Sequence, residues 1–181
     1  MNRTVRVKLQ PTPEQAEALA ETSALFTQSF NAVCSYGWEH SEKNGVRLHH
    51  ATYYTCKAEA PVLVSDLHIQ ARVKATEALK SAFTLQRQGR KVSTPTAHVC
   101  PPRYNVHTFK VDWDEQTARL STTQGRMSLP FHVPEYAIPS LGGKVATADL
   151  IQRDGAWWLH IVVDIPAPVV QPTDDIMGVD L

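Results

Sequence analysis

In TVRVKL, residues 4–9, apolar and polar side chains alternate strictly. Val5, Val7 and Leu9 would face a core while the residues between them face outward, which is the pattern of a half-buried strand. Helical segments follow, so this strand is separated from later strands. We interpret it as the first strand of a β-barrel that an insertion interrupts. The alternative is two independent domains, with the first strand packed only on the helices.

The first helical segment has a well-defined start. Thr12 is suited to be the N-cap, Pro13 to be the first helical residue and Gln15 to complete a capping box. A long helix is therefore predicted from this point towards Lys43. Asn44-Gly45 is predicted to stop it, because these residues favour the end of a helix.

Two further helices are predicted before the chain turns to strands. A shorter one covers residues 51–59 and is closed by Pro61. The third begins near Ser65 and ends around Gly89. Its predicted buried stripe consists of Ile69, Val73, Thr76, Leu79 and Phe83.

Beyond Pro95 the hydrophobic period changes to two, which predicts antiparallel strands. Asp154-Gly155 is a strong signal for a two-residue hairpin turn. In the strand that follows, Trp157 lies on the apolar face and is predicted to be core. Trp158 is either a stacking surface or an interdomain contact.

The predicted fold class is α+β, with an antiparallel β-barrel interrupted after its first strand by a helical domain. Prolines at 166, 168 and 172 predict a stiff linker, and an apolar strand begins near Ile176. The predicted division is residues 1–10 for the first barrel strand, 11–95 for the helical insert, 96–168 for the rest of the barrel, and 169–181 for the linker and the start of another domain.

The net charge is zero, but the basic residues are unevenly distributed. Between Leu67 and Arg103 only Glu77 opposes a basic group made up of Arg72, Lys74, Lys80, Arg87, Arg90, Lys91 and Arg103. Such a local excess is typical of a surface that binds a polyanion. The alternative is an ordinary solvated helix face.

Several classes of protein are disfavoured by the composition. The three cysteines are far apart and form no C-x-x-C pair, which argues against a disulfide framework and a structural zinc site. No apolar run approaches membrane-spanning length and no secretory leader is evident, so we expect no membrane partner and a cytoplasmic location. Gly-rich phosphate loops and nucleophile elbows are also missing, which makes a metabolic enzyme the weakest interpretation.

In MGVDL, residues 177–181, Asp180 lies inside an apolar, strand-like segment. A carboxylate there is costly unless it is paired, hydrogen-bonded or bound to a cation. The alternative is an aspartate at a frayed or truncated chain end.

Read in order, these segments resemble the N-terminal half of TnpB proteins, the insertion-sequence-encoded relatives of type V CRISPR effectors. The matching pieces are VRVKLQPTPEQAEAL, then Phe26, Phe30 and Asn31, then IQARVKATEALKSAF, LSTTQGRMSLPF, LIQRDGAWWLHIVVDIP and IMGVDL. The resemblance lies in the order and spacing of these pieces, which together cover nearly the full length of the chain.

The resemblance implies a wedge-type, oligonucleotide-binding barrel interrupted by a helical recognition domain. It also implies that Asp180 is the first catalytic, metal-ligating carboxylate of a RuvC-like, RNase H-type nuclease domain that uses Mg²⁺. The implied partners are a guide RNA and a target DNA duplex or heteroduplex. The later metal ligands of the family are missing from these residues, so we expect this chain alone to bind no Mg²⁺ and to cut no DNA.

Three regions are candidates for contact with nucleic acid. The basic third helix and its exit would contact phosphates through Arg72, Lys74, Lys80, Arg87, Arg90 and Lys91, and the family likeness makes His68 and Gln70 candidates for base contacts. The second region offers stacking faces and donors in His50, Tyr53 and Tyr54. The third, where the later strands begin, contains Arg103, Tyr104, Asn105 and His107.

The function predicted from the sequence is therefore the nucleic-acid-binding portion of a transposon-associated, RNA-guided DNA endonuclease. The alternative is a nuclease-dead, RNA-guided DNA-binding module or a truncated transposase-like accessory protein. A decayed reading frame that folds without a function is a third interpretation.

Overall fold

A computed structural model describes residues 1–166, which form an α+β fold with a helical region and two antiparallel sheets. The helices are α1 (Pro13–Glu39), α2 (Gly45–Glu59), α3 (Ser65–Arg87) and a 3-10 helix (Glu135–Ser140). The strands are β1 (Asn2–Lys8), β2 (Arg103–Tyr104), β3 (Phe109–Asp112), β4 (Thr117–Thr122), β5 (Gly125–Pro130), β6 (Lys144–Arg153) and β7 (Ala156–Asp164). Asp180 and the predicted linker lie outside the described residues.

The first strand pairs with the last strand of residues 1–166, across the whole helical insertion. β1 runs antiparallel to β7, with Val5 opposite Ile161 and Val7 opposite Leu159. The four-stranded sheet has the order β1-β7-β6-β2. The prediction that the first strand joins strands beyond the helices is confirmed, and the alternative that it packs only on helices is wrong. All four of these apolar side chains are buried, which fixes the register because a slip of one residue would expose them.

The second sheet has three strands in the order β3-β4-β5. Leu9 forms an isolated bridge to Phe131, and the Gln10 N–H donates to the Pro130 carbonyl at 2.9 Å, so the end of β1 connects the two sheets. Within residues 1–166 no ladder joins β2 to β3, and the sheets do not form the predicted closed barrel. The chain turns tightly after Asn105, and β3 then pairs with β4 instead of continuing the sheet that contains β2.

The predicted start of α1 is confirmed, but its predicted end is wrong. The Thr12 hydroxyl accepts from the Gln15 N–H and the Gln15 side chain accepts from the Thr12 N–H, which completes the capping box. The helix ends at Glu39, and Asn44 begins α2 instead of stopping α1. Its side-chain oxygen accepts from the N–H groups of the next two helical residues after Gly45, at 2.9 and 3.2 Å.

The buried face of α3 is rotated from the predicted one. Thr76 and Leu79 are buried as predicted, whereas Ile69, Val73 and Phe83 are only partly buried. The other buried positions on this helix are Leu67, His68, Ala71, Ala75 and Ala82. Because α1 and α2 both pack against α3, a stripe of small residues suits the contact better than the larger side chains do.

The inner face of the four-stranded sheet contributes to the hydrophobic core. Trp157 is buried, as predicted, together with Leu150 and the apolar face of β1. The hairpin turn is confirmed at Asp154-Gly155, where both residues have positive φ.

Among the helices of residues 1–166, none combines the length and the apolar character that a bilayer crossing requires.

Candidate nucleic-acid interface

The outer face of the four-stranded sheet brings basic and aromatic side chains together in rows across the strands. Lys8 is opposite Trp158, and Arg6 is opposite His160. These positions alternate with the buried ones, so their side chains lie on the face away from the core. Directly paired residues on one face are close enough to act on a common ligand. We call this surface, defined by Arg6, Lys8, Trp158 and His160, the outer face.

A groove of about 490 Å³ runs along this surface at the hairpin end. Arg153 and Ile151 from β6 line it together with Lys8 and Trp158. Arg153 lies 3.3 Å from Asp154, but both side chains are more than three-quarters exposed, so this ion pair does not hold the guanidinium firmly. Arg6 and Asp154 also line the groove, which therefore combines three cations and one carboxylate with an indole ring.

The surroundings of His160 disfavour the charged form of its ring. Partial burial lowers the pKa of His160, and the nearby Arg6 guanidinium lowers it further, while Asp149 acts in the opposite direction. A neutral imidazole offers one donor and one acceptor. The ring therefore suits hydrogen bonding to a base or sugar more than it suits neutralising a phosphate.

A second groove, of about 760 Å³, continues along β1, next to the 3-10 helix. The Tyr136 hydroxyl accepts from the Arg6 N–H at 2.9 Å and donates to the Arg6 carbonyl at 3.2 Å. These two hydrogen bonds tie the 3-10 helix to β1 and fix the backbone beneath the Arg6 side chain. Arg3 and Trp158 also line this groove, so the basic and aromatic character of the outer face extends into it.

At the exit of α3, the predicted basic residues are exposed, but not all of them belong to the helix. Lys80 and Arg87 are exposed near the end of the helix. The helix ends at Arg87, and Gly89 has a φ of +78°, which turns the chain away. Arg90 and Lys91 are exposed beyond that turn, so they do not continue the helix face that holds Lys80 and Arg87.

Lys74 and Arg103 are engaged in a network that joins α3 to the sheet. Lys74 donates to the Pro101 carbonyl at 2.7 Å and lies 3.1 Å from Asp149. Arg103 donates to Glu77 at 2.9 Å and lies 3.6 Å from the same Asp149 oxygen. These two cations are therefore already neutralised by carboxylates, which lessens their capacity to bind phosphate.

Two predicted contact residues are buried, and their interpretation as surface contacts is corrected here. His68 is 3% exposed, with its ring nitrogens 2.9 Å from the Ser29 hydroxyl and 3.1 Å from the Ala60 carbonyl. Tyr104 is fully buried, and burial raises the pKa of its hydroxyl. Neither side chain presents a surface to a nucleic acid in this conformation, because both fill the space between packed elements.

The remaining residues of α3 are only partly accessible. Gln70 and Arg72 are each half-buried. Burial lowers the pKa of Arg72, and the guanidinium lies close to Gly45 at the start of α2. A Cβ at Gly45 would lie 2.9 Å from that side chain, so the glycine permits this close approach.

The aromatic cluster on α2 divides into an exposed and a packed part. Tyr54 is 79% exposed and His50 is also exposed. Tyr53 is partly buried and stacks on His49, with 4.7 Å between the ring centroids. Tyr54 and His50 are therefore the accessible members of this predicted region.

The loop before β3 was predicted to contact nucleic acid, but part of it forms a structural turn. The Asn105 side-chain oxygen accepts from the His107 N–H at 2.9 Å, which forms a tight turn. His107 itself is exposed, and its carbonyl accepts from Arg126 at 2.7 Å. Asn105 is partly buried and committed to the turn, so His107 is the more accessible of the two.

The sequence alone did not identify the outer face as a candidate site, although Arg6 and Lys8 were predicted to point outward. Alternation in β1 and β7 indicates which residues face out, but not which residues lie opposite each other. The register that pairs Lys8 with Trp158 is a long-range property. A search for basic residues on one strand and aromatic residues on another would have identified the candidates.

The predicted metal site falls outside what the structure describes. Asp180 lies beyond residue 166, and within residues 1–166 no group of three or more histidine, cysteine, aspartate or glutamate side chains is placed to hold a metal ion.

Neither a protein-family model nor a curated protein matches this chain.

Proposed function

We propose that this chain is the nucleic-acid-binding portion of a transposon-associated, RNA-guided DNA endonuclease of the TnpB type. Its partners would be a guide RNA and the target DNA, and the proposal implies a cytoplasmic location. The observation that supports it most is the pairing of β1 with β7 across the helical insertion, which assembles the outer face. That topology agrees with a barrel interrupted by a recognition domain, although the described sheets are joined at one edge only.

The chemistry of the outer face favours a nucleic acid over other ligands. Arg6, Lys8 and Arg153 provide positive charge for phosphates, and Trp158 provides a ring on which a base can stack. The net charge of the whole chain is zero, so the chain has no general attraction for polyanions. The positive charge of the outer face is local. Single-stranded nucleic acid requires this combination, because its bases are free to stack while its backbone carries the charge.

Catalysis would require metal-ligating residues, which the outer face does not include. In a complete nuclease of this kind Mg²⁺ activates water and stabilises the leaving oxygen. Asp180 would supply one ligand, and one carboxylate does not make a two-metal site. Residues 1–166 would therefore bind and position nucleic acid, and cleavage would depend on further ligands.

The proposal is tested by sequencing the RNA that co-purifies with the protein. One discrete RNA is expected to be enriched over that bound by an unrelated protein. The Arg6→Glu/Lys8→Glu double variant is expected to lose it. The Lys110→Glu/Arg119→Glu variant, which changes two paired exposed cations on β3 and β4, is expected to retain it. An RNA content equal to that of the unrelated protein would contradict the proposal.

A further inference from the structure

A row of polar side chains crosses all four strands of the larger sheet and passes through the outer face. Arg6 on β1 is directly opposite His160 on β7. His160 is in turn opposite Asp149 on β6, and Asp149 is opposite Arg103 on β2. Directly paired residues point to the same side of a sheet, so all four side chains share the side that faces away from the core. The row therefore places an imidazole ring and a carboxylate between two guanidinium groups.

Asp149 has one carboxylate oxygen left over for a ligand. Lys74 and Arg103 both approach its Oδ1 atom, at 3.1 and 3.6 Å, and this atom is buried. The side chain as a whole is 35% exposed, so the exposure belongs to its other atoms. Because both ion pairs of Asp149 within residues 1–166 use Oδ1, the second oxygen, Oδ2, remains as an acceptor.

His160 also has unused hydrogen-bonding capacity. Its ring lines the groove of about 490 Å³ together with Lys8 and Trp158. Within residues 1–166, the histidine rings that form hydrogen bonds are those of His40 and His68, so the His160 nitrogens are available to a ligand. The neutral ring offers one N–H donor and one acceptor nitrogen.

This neighbouring pair suits a hydroxyl group and does not suit a phosphate. A carboxylate repels a phosphate, so phosphates would lie at the cations of the outer face and not at Asp149. A hydroxyl can accept from the His160 N–H and donate to the Asp149 carboxylate at the same time. In a nucleic acid the ribose 2′-hydroxyl has this double capacity, it lies close to the backbone phosphates, and DNA lacks it. A base amino group only donates, so it would leave the His160 N–H without an acceptor.

We propose that His160 and Asp149 bind the 2′-hydroxyl of one ribose whose phosphate contacts Arg6, so that the outer face binds RNA in preference to DNA. This rests on the proposed function and narrows it, because the strand on the outer face is then RNA and not the target DNA. Trp158 lies two residues from His160 on the same side of β7, about 7 Å along the strand, and remains available for a stacked base.

The test compares a labelled single-stranded RNA with a DNA of the same sequence that carries uracil in place of thymine, so that only the 2′ position differs. Fluorescence anisotropy at pH 7 should show that wild type binds the RNA about tenfold more tightly or better, as expected for a hydrogen bond to a charged acceptor. His160→Phe keeps a ring but removes both nitrogens, and it should bring the two affinities to within about twofold. His132→Phe, at an exposed histidine outside the four-stranded sheet, is the matched control and should keep the wild-type preference.

A second measurement places the preference on one ribose. Single 2′-deoxy substitutions along the RNA should weaken binding to wild type at one position or two adjacent positions. The same substitutions should have no effect on binding to His160→Phe, because the group that reads the hydroxyl is already lost. His160 carries this test because a change at Asp149 would also disturb its ion pair with Lys74.

The outcomes separate this proposal from the function on which it rests. Equal binding of RNA and uracil-containing DNA by wild type would overturn the reading of the 2′-hydroxyl and leave the proposed function standing. An RNA preference that survives in His160→Phe, or that is lost equally in His132→Phe, would also overturn the assignment to this row. If wild type bound neither strand and no discrete RNA co-purified with it, the proposed function would fail and this inference with it.

Discussion

Replacing both Arg6 and Lys8 by alanine should reduce the salt dependence of nucleic-acid binding. The two side chains are two residues apart on β1, which places them about 7 Å from each other along the strand. Their side chains are exposed, and β1 is held by backbone pairing with β7 and by the Tyr136 hydroxyl. Neither change removes a core contact, so the variant should fold.

The expected magnitude follows from counterion release. Each phosphate contact contributes about 0.7 to the slope of log affinity against log salt for single strands. Losing two contacts should reduce the slope by about 1.4. Between about 50 and 200 mM salt, the advantage of wild type over the variant should therefore shrink by roughly sevenfold.

Fluorescence anisotropy of a labelled single-stranded RNA over a salt series measures this slope. Lys110→Ala/Arg119→Ala removes the same charge from a directly paired position on β3 and β4, and its slope should stay at the wild-type value. A wild-type slope in the Arg6/Lys8 variant would refute the assignment of phosphate contacts to the outer face. An equal reduction in both variants would show a general charge effect instead of a site.

Three further outcomes are expected. Thr12→Ala should lower the free energy of unfolding by about 1 kcal/mol in urea denaturation, because the Gln15 N–H loses the hydroxyl that accepts from it, and Thr12→Ser should retain most of that stability. Burial lowers the pKa of His68, so its contribution to stability is complete above the unfolded pKa of about 6.5 and is lost as the pH falls through the lowered folded value. The urea midpoint should thus fall from pH 7 to pH 5 by more in wild type than in His68→Gln, and an equal fall would contradict this. In a protein that carries the remaining metal ligands, Asp180→Ala should abolish DNA cleavage and leave guide-dependent binding nearly intact in a paired assay; retained cleavage would remove Asp180 from the nuclease site.

The strands were predictable because their signals are local. Alternation in residues 4–9 and the Asp154-Gly155 turn each depend on neighbouring residues, and both predictions were confirmed. Asn44 shows the limit of such signals. Asparagine is favoured both at the end of one helix and at the start of the next. Only the hydrogen bonds that its side chain accepts decide between these roles.

The candidate site was less predictable because it depends on contacts between distant segments. His68 was predicted to contact bases because of the family resemblance, but its side chain is buried, and its partners Ser29 and Ala60 belong to other parts of the helical region. Lys74 and Arg103 were counted as free cations, whereas Asp149, on a strand far along the chain, lies within 3.6 Å of both, and Glu77 also accepts from Arg103. Composition reveals charge, but it does not reveal which charges are already paired.

The most direct test of the central claim is photo-crosslinking of the protein to a single-stranded RNA that carries 4-thiouridine, followed by mass-spectrometric mapping of the adducts. The outer face should carry the adducts, at Lys8, Trp158 or His160 on β1 and β7. Further adducts at exposed residues such as Tyr54 or Lys80 would be compatible with this. Efficient crosslinking confined to β3–β5, with none on β1 or β7, would contradict the claim that the outer face is the nucleic-acid interface.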